Sequence, residues 1–369
     1  MRGIKGVRLI NNRKIMSLKN RLQRLHPRLG EEEIDGIFVS QPENRCYLSG
    51  FDGSAGYLLI TPQNKILATD FRYIEQAQRQ APDYEIFPIS SGILDWLPGL
   101  AADLGLKRLG FEAGHITFAM HQQLTDVLKQ SQLKFIPVDG LVESLRVIKE
   151  PEEIELITEA VEITDSALEY SKDMIHTGMS EKEVAWEIEK FLREKGSEPI
   201  PFDIIVASGP NSALPHAKPS SRAIQSGEPV IIDIGARIGG YSSDLSRTIY
   251  PGTADDTLNK VYDTVLRAQL TAIAAIKKGM TGGEIDDVAR MVIKQAGYGE
   301  AFGHGLGHGI GLAPHEQPRL GPNSPDKLAA GMVFTIEPGI YLTGWGGVRI
   351  EDVVVMEEDK IRVISKARK

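Results

Sequence analysis

Carboxylates stand inside runs that otherwise read as buried strands, and no other feature narrows so far what this chain can become. Val230-Ile231-Ile232-Asp233-Ile234-Gly235 is too apolar to face water, yet it carries an acid near its centre. Burying that charge costs several kcal/mol unless a cation or a hydrogen-bond network offsets it. Asp244 follows the Gly239-Gly240 turn in Tyr241-Ser242-Ser243-Asp244-Leu245. A hairpin centred between residues 238 and 239 sets Asp233 opposite Asp244, and like charges about 5 Å apart destabilise a sheet without compensation. A divalent cation resolves the conflict; a shared proton or an arginine partner such as Arg247 is the alternative. Glu337, in Val333-Phe334-Thr335-Ile336-Glu337-Pro338-Gly339, and Glu351, in Val348-Arg349-Ile350-Glu351-Asp352-Val353, interrupt two further β-prone runs. Period two puts Arg349 on the face of Glu351, so an ion pair competes there with a metal role, while Asp352 points away.

Glycine occupies every odd position of Gly303-His304-Gly305-Leu306-Gly307-His308-Gly309-Ile310-Gly311. Each glycine costs a helix about 1 kcal/mol relative to alanine, so the segment is expected to be extended, within a strand near 301–311. One face is then bare backbone and the other bears His304, Leu306, His308 and Ile310. The two histidines stand about 13 Å apart on a regular strand, so one is a ligand candidate and the other its neighbour. A flexible glycine loop with incidental histidines is the competing reading. Against it, four of the eight histidines (His216, His304, His308, His315) fall within one hundred residues, beside the aspartates.

Asp, Asp, His, Glu and Glu form an oxygen-rich set with one imidazole. Four negative charges cannot sit together uncompensated, and two divalent ions would neutralise them. Such a donor set favours Mn²⁺, with Co²⁺, Fe²⁺ or Zn²⁺ as further options. Two metal ions about 3.5 to 4 Å apart acidify one water, which points to hydrolysis.

Composition removes other classes. Lys and Arg number 42 against 50 Asp and Glu, a formal charge of −8, whereas a phosphate-backbone binder is usually basic. Nucleic acid is therefore not expected as a partner. No apolar run approaches the 18 to 20 residues of a membrane span, so no membrane association is expected either. Cys46 is the sole cysteine and cannot form an internal disulfide, which fits a reducing cytoplasm. Residues 1–15 carry Arg2, Lys5, Arg8, Arg13 and Lys14 but no signal-peptide core, and read as a disordered tail. Met16, ahead of the amphipathic Leu18, Leu22, Leu25 and Leu29, reads as the beginning of the fold and a candidate translation start.

With 369 residues, two domains are expected. Short strands over 34–40, 57–61 and 65–69, parted by Gln41-Pro42 and Thr61-Pro62-Gln63-Asn64 turns, alternate with helices near 71–81 and 116–130. Gly50, Gly53 and Gly56 do not have the spacing of a phosphate-binding fingerprint. At Lys149-Glu150-Pro151-Glu152-Glu153 a second unit opens on a long helix, with Pro151 suited to its first turn. Ile154, Ile157, Val161, Thr164 and Leu168 keep helical spacing until Gly178. Ser180 with Glu183 caps a second helix over 181–194, and two strands should follow. Helices near 254–277 and 282–296, then strands near 301–311, 332–337 and 347–356, repeat that order, which suggests an internal duplication. The class expected is α+β (mixed α/β), with domains over 17–148 and 151–369.

These motifs resemble the Xaa-Pro peptidases, prolidase and aminopeptidase P, of the M24 "pita-bread" metallopeptidases. The resemblance is carried by Ile232-Asp233-Ile234-Gly235, Tyr241-Ser242-Ser243-Asp244, His304 to Gly311, Ile336-Glu337-Pro338-Gly339 and Arg349-Ile350-Glu351-Asp352, in the family's order. Glu43-Asn44-Arg45-Cys46-Tyr47-Leu48-Ser49-Gly50-Phe51, Thr69-Asp70-Phe71-Arg72-Tyr73 and Leu145-Arg146-Val147-Ile148-Lys149 look like the creatinase/prolidase N-terminal domain. What the resemblance implies is a pita-bread catalytic domain with pseudo-twofold duplication. It also implies a dinuclear centre held by Asp233, Asp244, His308, Glu337 and Glu351, with Asp244 and Glu351 bridging the ions. By the same resemblance Glu337 handles the proton of a bridging water, and His304 lies beside the substrate. His315 and His216 meet the scissile carbonyl and the intermediate; Arg319, Arg349 and Tyr241 contact substrate.

The implied reaction is hydrolysis of the X-Pro bond of dipeptides or short peptides through a metal-bridging hydroxide, in a homodimer whose N-terminal domain closes over the substrate end. An ordinary surface arginine is the competing reading for Arg319. Creatinase, methionine aminopeptidase and a non-catalytic pita-bread binding protein are the alternatives. Five intact ligand positions weigh against the first and last, and the 130-residue front domain weighs against the second.

Overall fold

Capping residues and helical periodicity place the long elements of this chain. The computed structural model describes residues 18–129, 133–358 and 360–369. The expected tail over 1–15 and the proposed beginning at Met16 lie outside them. The chain forms two units that part between Arg146 and Val147.

In the first unit, a helix running to residue 31 buries Leu22, Leu25 and Leu29, as their spacing predicts. Glu85–Pro88, Lys65–Thr69, Tyr57–Ile60, Gly36–Val39, Arg108–Glu112 and Lys134–Val138 lie side by side in that order as one sheet. The inner three strands pair antiparallel and the outer ones join in parallel. Parallel neighbours need crossovers. Ile74–Gln80, Ile93–Asp103 and Phe118–Leu128 lie along those connections. Phe38, Leu59, Trp96, Leu97, Leu109 and Leu124 form the core. Gln41-Pro42 is not the turn its composition suggests. Pro42 opens the helix Pro42–Ser49, and the Glu112 carboxylate accepts the N–H of Ser40 and of Gln41, each at 2.7 Å. That carboxylate comes from about seventy residues away, where local pattern cannot find it.

The second unit repeats one motif. Pro151–Met174 and Glu181–Glu194 precede Ile205–Ser208 and Val230–Ile234; Asp256–Ala275 and Gly282–Gln295 precede Gly307–Gly309, Glu316–Leu320 and Val333–Ile336. Both second helices open on a capping box, Ser180 with Glu183 and Thr281 with Glu284. Each pair has its own core. Leu168, Val184 and Ile188 pack with Val230 and Ile232, while Val265, Ile285 and Ile293 pack with Phe334 and Ile336. Each such side chain contributes roughly 1.5–3 kcal/mol by leaving water. The first helix ends at Met174, short of Gly178, because Ile175 is already extended.

Three expectations are corrected. Gly239 and Gly240 both hold positive φ, 57° and 84°, and make a two-residue turn that pairs Ile238 with Tyr241. Carried along the ladder, that register sets Asp233 opposite Ser246 rather than Asp244. The shift is two residues, and donor atoms of the two aspartates still lie within 4.8 Å of each other. The strand expected over 301–311 shrinks to Gly307–Gly309, and the one over 347–356 divides into Gly346–Arg349 and Asp352–Met356. These two pair with different strands, Gly339–Leu342 and Val333–Ile336. Among the described residues, no helix is long and apolar enough to cross a membrane.

Gly307 has no room for a side chain, because a Cβ would run into the carbonyl of Thr335 on the neighbouring strand. Gly307→Ala is expected to cost about 1–3 kcal/mol, read as a lower melting midpoint, and to weaken metal uptake by displacing His308. An unshifted midpoint would show that the strands can part freely.

Candidate metal centre

Three of the four carboxylates sit where a strand breaks. Asp244 lies between Tyr241–Ser242 and Leu245–Ile249, Glu337 directly follows Val333–Ile336, and Glu351 directly precedes Asp352–Met356. A residue at a break is released from the alternating ladder and can turn into the space between sheets. Asp233 remains inside Val230–Ile234, and His308 is the middle residue of Gly307–Gly309. Donor atoms of Asp233, Asp244 and Glu351 lie within 4.8 Å of one another, as do those of His308, Glu337 and Glu351 and those of Asp244, His308 and His315. All five expected ligand residues enter one cluster, with His315 at its edge.

Without cations the cluster cannot be fully ionised. Burial, then the charges of Glu351 and Asp233, hold Asp244 well above the usual carboxylate range. Burial does the same to Glu351, aided by Glu337 and Asp233. Glu337 is pushed up to about 8, burial outweighing the favourable field of Arg349. His308 is pulled down to about 4, by burial first and His315 second, so its ring is neutral at pH 7. Its Nδ1–H donates to the Gly309 carbonyl at 3.1 Å, which leaves the Nε2 lone pair 3.5 Å from Asp244 Oδ2 and Glu337 Oε1. Asp233 Oδ1 and Glu351 Oε1 are buried with no hydrogen-bond donor. Carboxyls whose pKa burial and one another's charge push up, a neutral imidazole and undonated oxygens together fit divalent cations.

The arginine in the cluster is not the expected one. Arg247 is spent on Asp352, at 2.9 Å, and on the Ala367 carbonyl. Arg349 does not pair with Glu351, because the strand breaks between them. Its Nη2 meets Asp233 Oδ2 at 2.6 Å, its Nε donates to Ser246 Oγ at 2.9 Å and its Nη1 to the Tyr341 hydroxyl at 2.9 Å. With its fork so occupied and 3% of the residue exposed, Arg349 orients Asp233, and it also borders the cavity over the cluster. Tyr341, which nothing in the sequence singles out, relays this order. Its O–H faces His304 Nε2 at 2.8 Å, and His304 Nδ1 faces the Gly305 carbonyl at 2.8 Å. Burial pulls His304 down to about 4, so the ring is neutral, with Nδ1 donating and Nε2 accepting. Tyr241 lies outside this group; it is buried, and its hydroxyl donates to Glu153 on the long helix at 2.8 Å.

A cavity of about 490 Å³ opens over the cluster, a size suited to a small ligand. Its wall includes Asp233, Asp244, His308 and Glu337, the exposed rings of His216 and His315, His304, Arg319, Lys218 and the apolar Phe202 and Ile204. Arg319 stands directly across the strand pair from His308.

The chain matches the model of metallopeptidase family M24 over residues 155–358 and that of the creatinase/prolidase N-terminal domain over 21–148. It is 43% identical to a solved Xaa-Pro dipeptidase from Bacillus anthracis, with a TM-score of 0.92 over 95% of this chain and 98% of that one. An X-Pro aminopeptidase structure from Thermotoga maritima MSB8 is 37% identical, with a TM-score of 0.85 over 94% and 98%. The Xaa-Pro dipeptidase of Pyrococcus furiosus is 36% identical over 353 residues, 95% of this chain and 99% of the relative.

These shifts set the pH response expected of the metal-free protein. A carboxyl whose folded pKa is raised stabilises the fold below its unfolded pKa, and that stability drains away up to the folded one. For Glu337 the drain ends near 8. The depressed His304 and His308 act in the opposite sense, but only below about 6.5. Between pH 6.5 and 8, therefore, only the loss operates. The melting midpoint of chelator-stripped protein is expected to fall across that interval, and saturating Mn²⁺ to remove the fall. Equal midpoints at both pH values without metal would contradict the burial of these acids beside one another.

Proposed function

Because the chain belongs to metallopeptidase family M24 and carries a creatinase/prolidase N-terminal domain, we propose that it hydrolyses the bond before proline in dipeptides and short peptides. The observation that carries this reading is the convergence of Asp233, Asp244, His308, Glu337 and Glu351 beneath one cavity. Similarity to Xaa-Pro dipeptidases over nearly the full chain supports the substrate class.

Two divalent ions, Mn²⁺ in our reading because oxygen donors outnumber one imidazole, would be held by those five residues and would supply a nucleophile from water at neutral pH. The chain's own groups do the rest. Glu337 takes the proton of the attacking water and returns it to the leaving nitrogen of proline. His216 and His315, exposed on the cavity wall, face the scissile carbonyl as charge builds on its oxygen. Arg349 holds Asp233 in place, and through Tyr341 it orients His304. An X-Pro bond is a tertiary amide with no N–H, so a site that fixes its carbonyl and its ends accepts what ordinary peptidases cannot. Arg319 suits the C-terminal carboxylate of a dipeptide, since a guanidinium fork matches it. A homodimer follows from the family resemblance, and a cytoplasmic setting from Cys46 being the sole cysteine.

Stripping with chelator, restoring Mn²⁺ or Co²⁺, and assaying Gly-Pro, Ala-Pro-Ala, Met-Ala-Ser and creatine separates the readings. Turnover of Gly-Pro is expected, and exclusive turnover of Met-Ala-Ser or creatine would overturn the proposal. Asp244→Ala should abolish both activity and metal loading; a fully active variant would refute the ligand set. His304→Ala should lower kcat while metal content stays unchanged, and loss of metal would make His304 a ligand. Arg319→Ala should raise KM for Gly-Pro about tenfold or more, as expected for losing charge-assisted hydrogen bonds, with a smaller change for Ala-Pro-Ala. Equal changes for the two peptides would remove Arg319 from carboxylate recognition.

A further inference from the structure

Each repeat of the second unit sends one fully buried polar side chain from its first helix to the segments that carry its pair of carboxylates. In the second repeat this is Gln269, fully buried in Asp256–Ala275. Its Nε2 donates to the carbonyl of Ile336 and to that of Ile350, each at 3.2 Å. These are the residues directly before Glu337 and Glu351, so one amide group spans the two strand breaks that aim both glutamates. Its Oε1 is buried with no hydrogen-bond partner. An amide kept in an apolar core with its acceptor unsatisfied is costly, and a methionine or leucine of similar size would avoid that cost. What the amide adds is its pair of N–H donors.

In the first repeat the corresponding residue is Thr164. It lies thirteen residues past Pro151, as Gln269 lies thirteen past Asp256. It too is fully buried. Its hydroxyl donates to the Ala160 carbonyl at 3.0 Å and meets Ser243 Oγ at 2.5 Å; Ser243 Oγ in turn accepts the N–H of Ala236 at 2.9 Å. Ser243 directly precedes Asp244, and Ala236 lies just beyond the strand that carries Asp233.

We propose that Gln269 and Thr164 are paired positioning residues, which set the four carboxylates at ion-binding separation by holding the backbone behind them. The proposal rests on the dinuclear reading above. Neither side chain lines the cavity, and neither is itself a ligand in that reading. Partners behind metal ligands typically change affinity 10- to 100-fold when removed, and a shared donor to two ligand-bearing segments belongs in that range.

The test is Mn²⁺ titration of the stripped, full-length protein, with free ion read by electron paramagnetic resonance, spin coupling between bound ions recorded, and the melting midpoint taken in chelator. Gln269→Met removes the amide donors and Thr164→Val the hydroxyl that meets Ser243, each at nearly constant volume; Thr164→Ser restores the hydroxyl, and Val265→Ala damages the same helix core without touching either carbonyl. Gln269→Met and Thr164→Val are expected to weaken at least one Mn²⁺ site about tenfold or more and to alter the coupled signal. Thr164→Ser should regain wild-type affinity, and Val265→Ala should lower the midpoint with affinity unchanged. Unchanged Mn²⁺ binding in Gln269→Met, or a loss no larger than that in Val265→Ala, would overturn the proposal. Should Gln269→Met fail to fold, the Thr164→Val and Thr164→Ser pair decides alone, and equal affinity in both overturns it. Wild-type protein that takes up no Mn²⁺ would instead overturn the dinuclear reading itself.

Discussion

Like charges held out of water are the constraint on which the second unit is built. Asp233, Asp244, Glu337 and Glu351 meet in a space where fewer than four can ionise together. Arg349 answers one of them, by a 2.6 Å contact with Asp233. The remaining deficit is three charges rather than the four that the ligand residues alone suggest. Two divalent ions overshoot it by a single positive charge, which one small anion would balance. A fold that assembles this cluster gives up stability in the metal-free state, and it regains stability when cations bind.

The architecture makes that cluster by interrupting strands. A regular ladder would alternate side chains between two faces and could not bring residues from four segments to one point. Breaks at Asp244, at Glu337 and at Glu351 free those residues to turn inward, while glycine at 307 and 309 lets neighbouring strands close on His308 from both sides. Interruption leaves backbone that the ladder no longer holds. Buried side chains from the two long helices, Thr164 and Gln269, take up that role in a pseudo-symmetric way. The duplication of helix pairs is thus a device for supporting two carboxylate pairs from two sides.

Much of this was legible in the residues themselves. Ser180 with Glu183 and Pro151 mark helix starts because capping is local chemistry, and those boundaries hold. An acid inside an apolar run is visible in any sequence, so Asp233 and Glu337 stand out from pattern alone. What could not be read depends on register and long-range partners. One turn displaced by a residue moved the expected partner of Asp233 from Asp244 to Ser246, and a break after Arg349 turned its guanidinium from Glu351 to Asp233. Tyr341 and Gln269 carry no local signal at all. A tyrosine near a strand and a glutamine in a helix are ordinary until the fold shows what they touch. Tyr241, placed at the substrate by motif alone, is instead bound to Glu153.

Anomalous diffraction from crystals grown with Mn²⁺, recorded at the manganese edge, would decide the matter most directly. Two peaks about 3.5 to 4 Å apart are expected, enclosed by Asp233, Asp244, His308, Glu337 and Glu351, with the glutamate carboxylates drawn onto them. An active protein whose crystals show no peak inside that ring of donors, or show manganese only elsewhere, would contradict the view that buried acids are held there for cations.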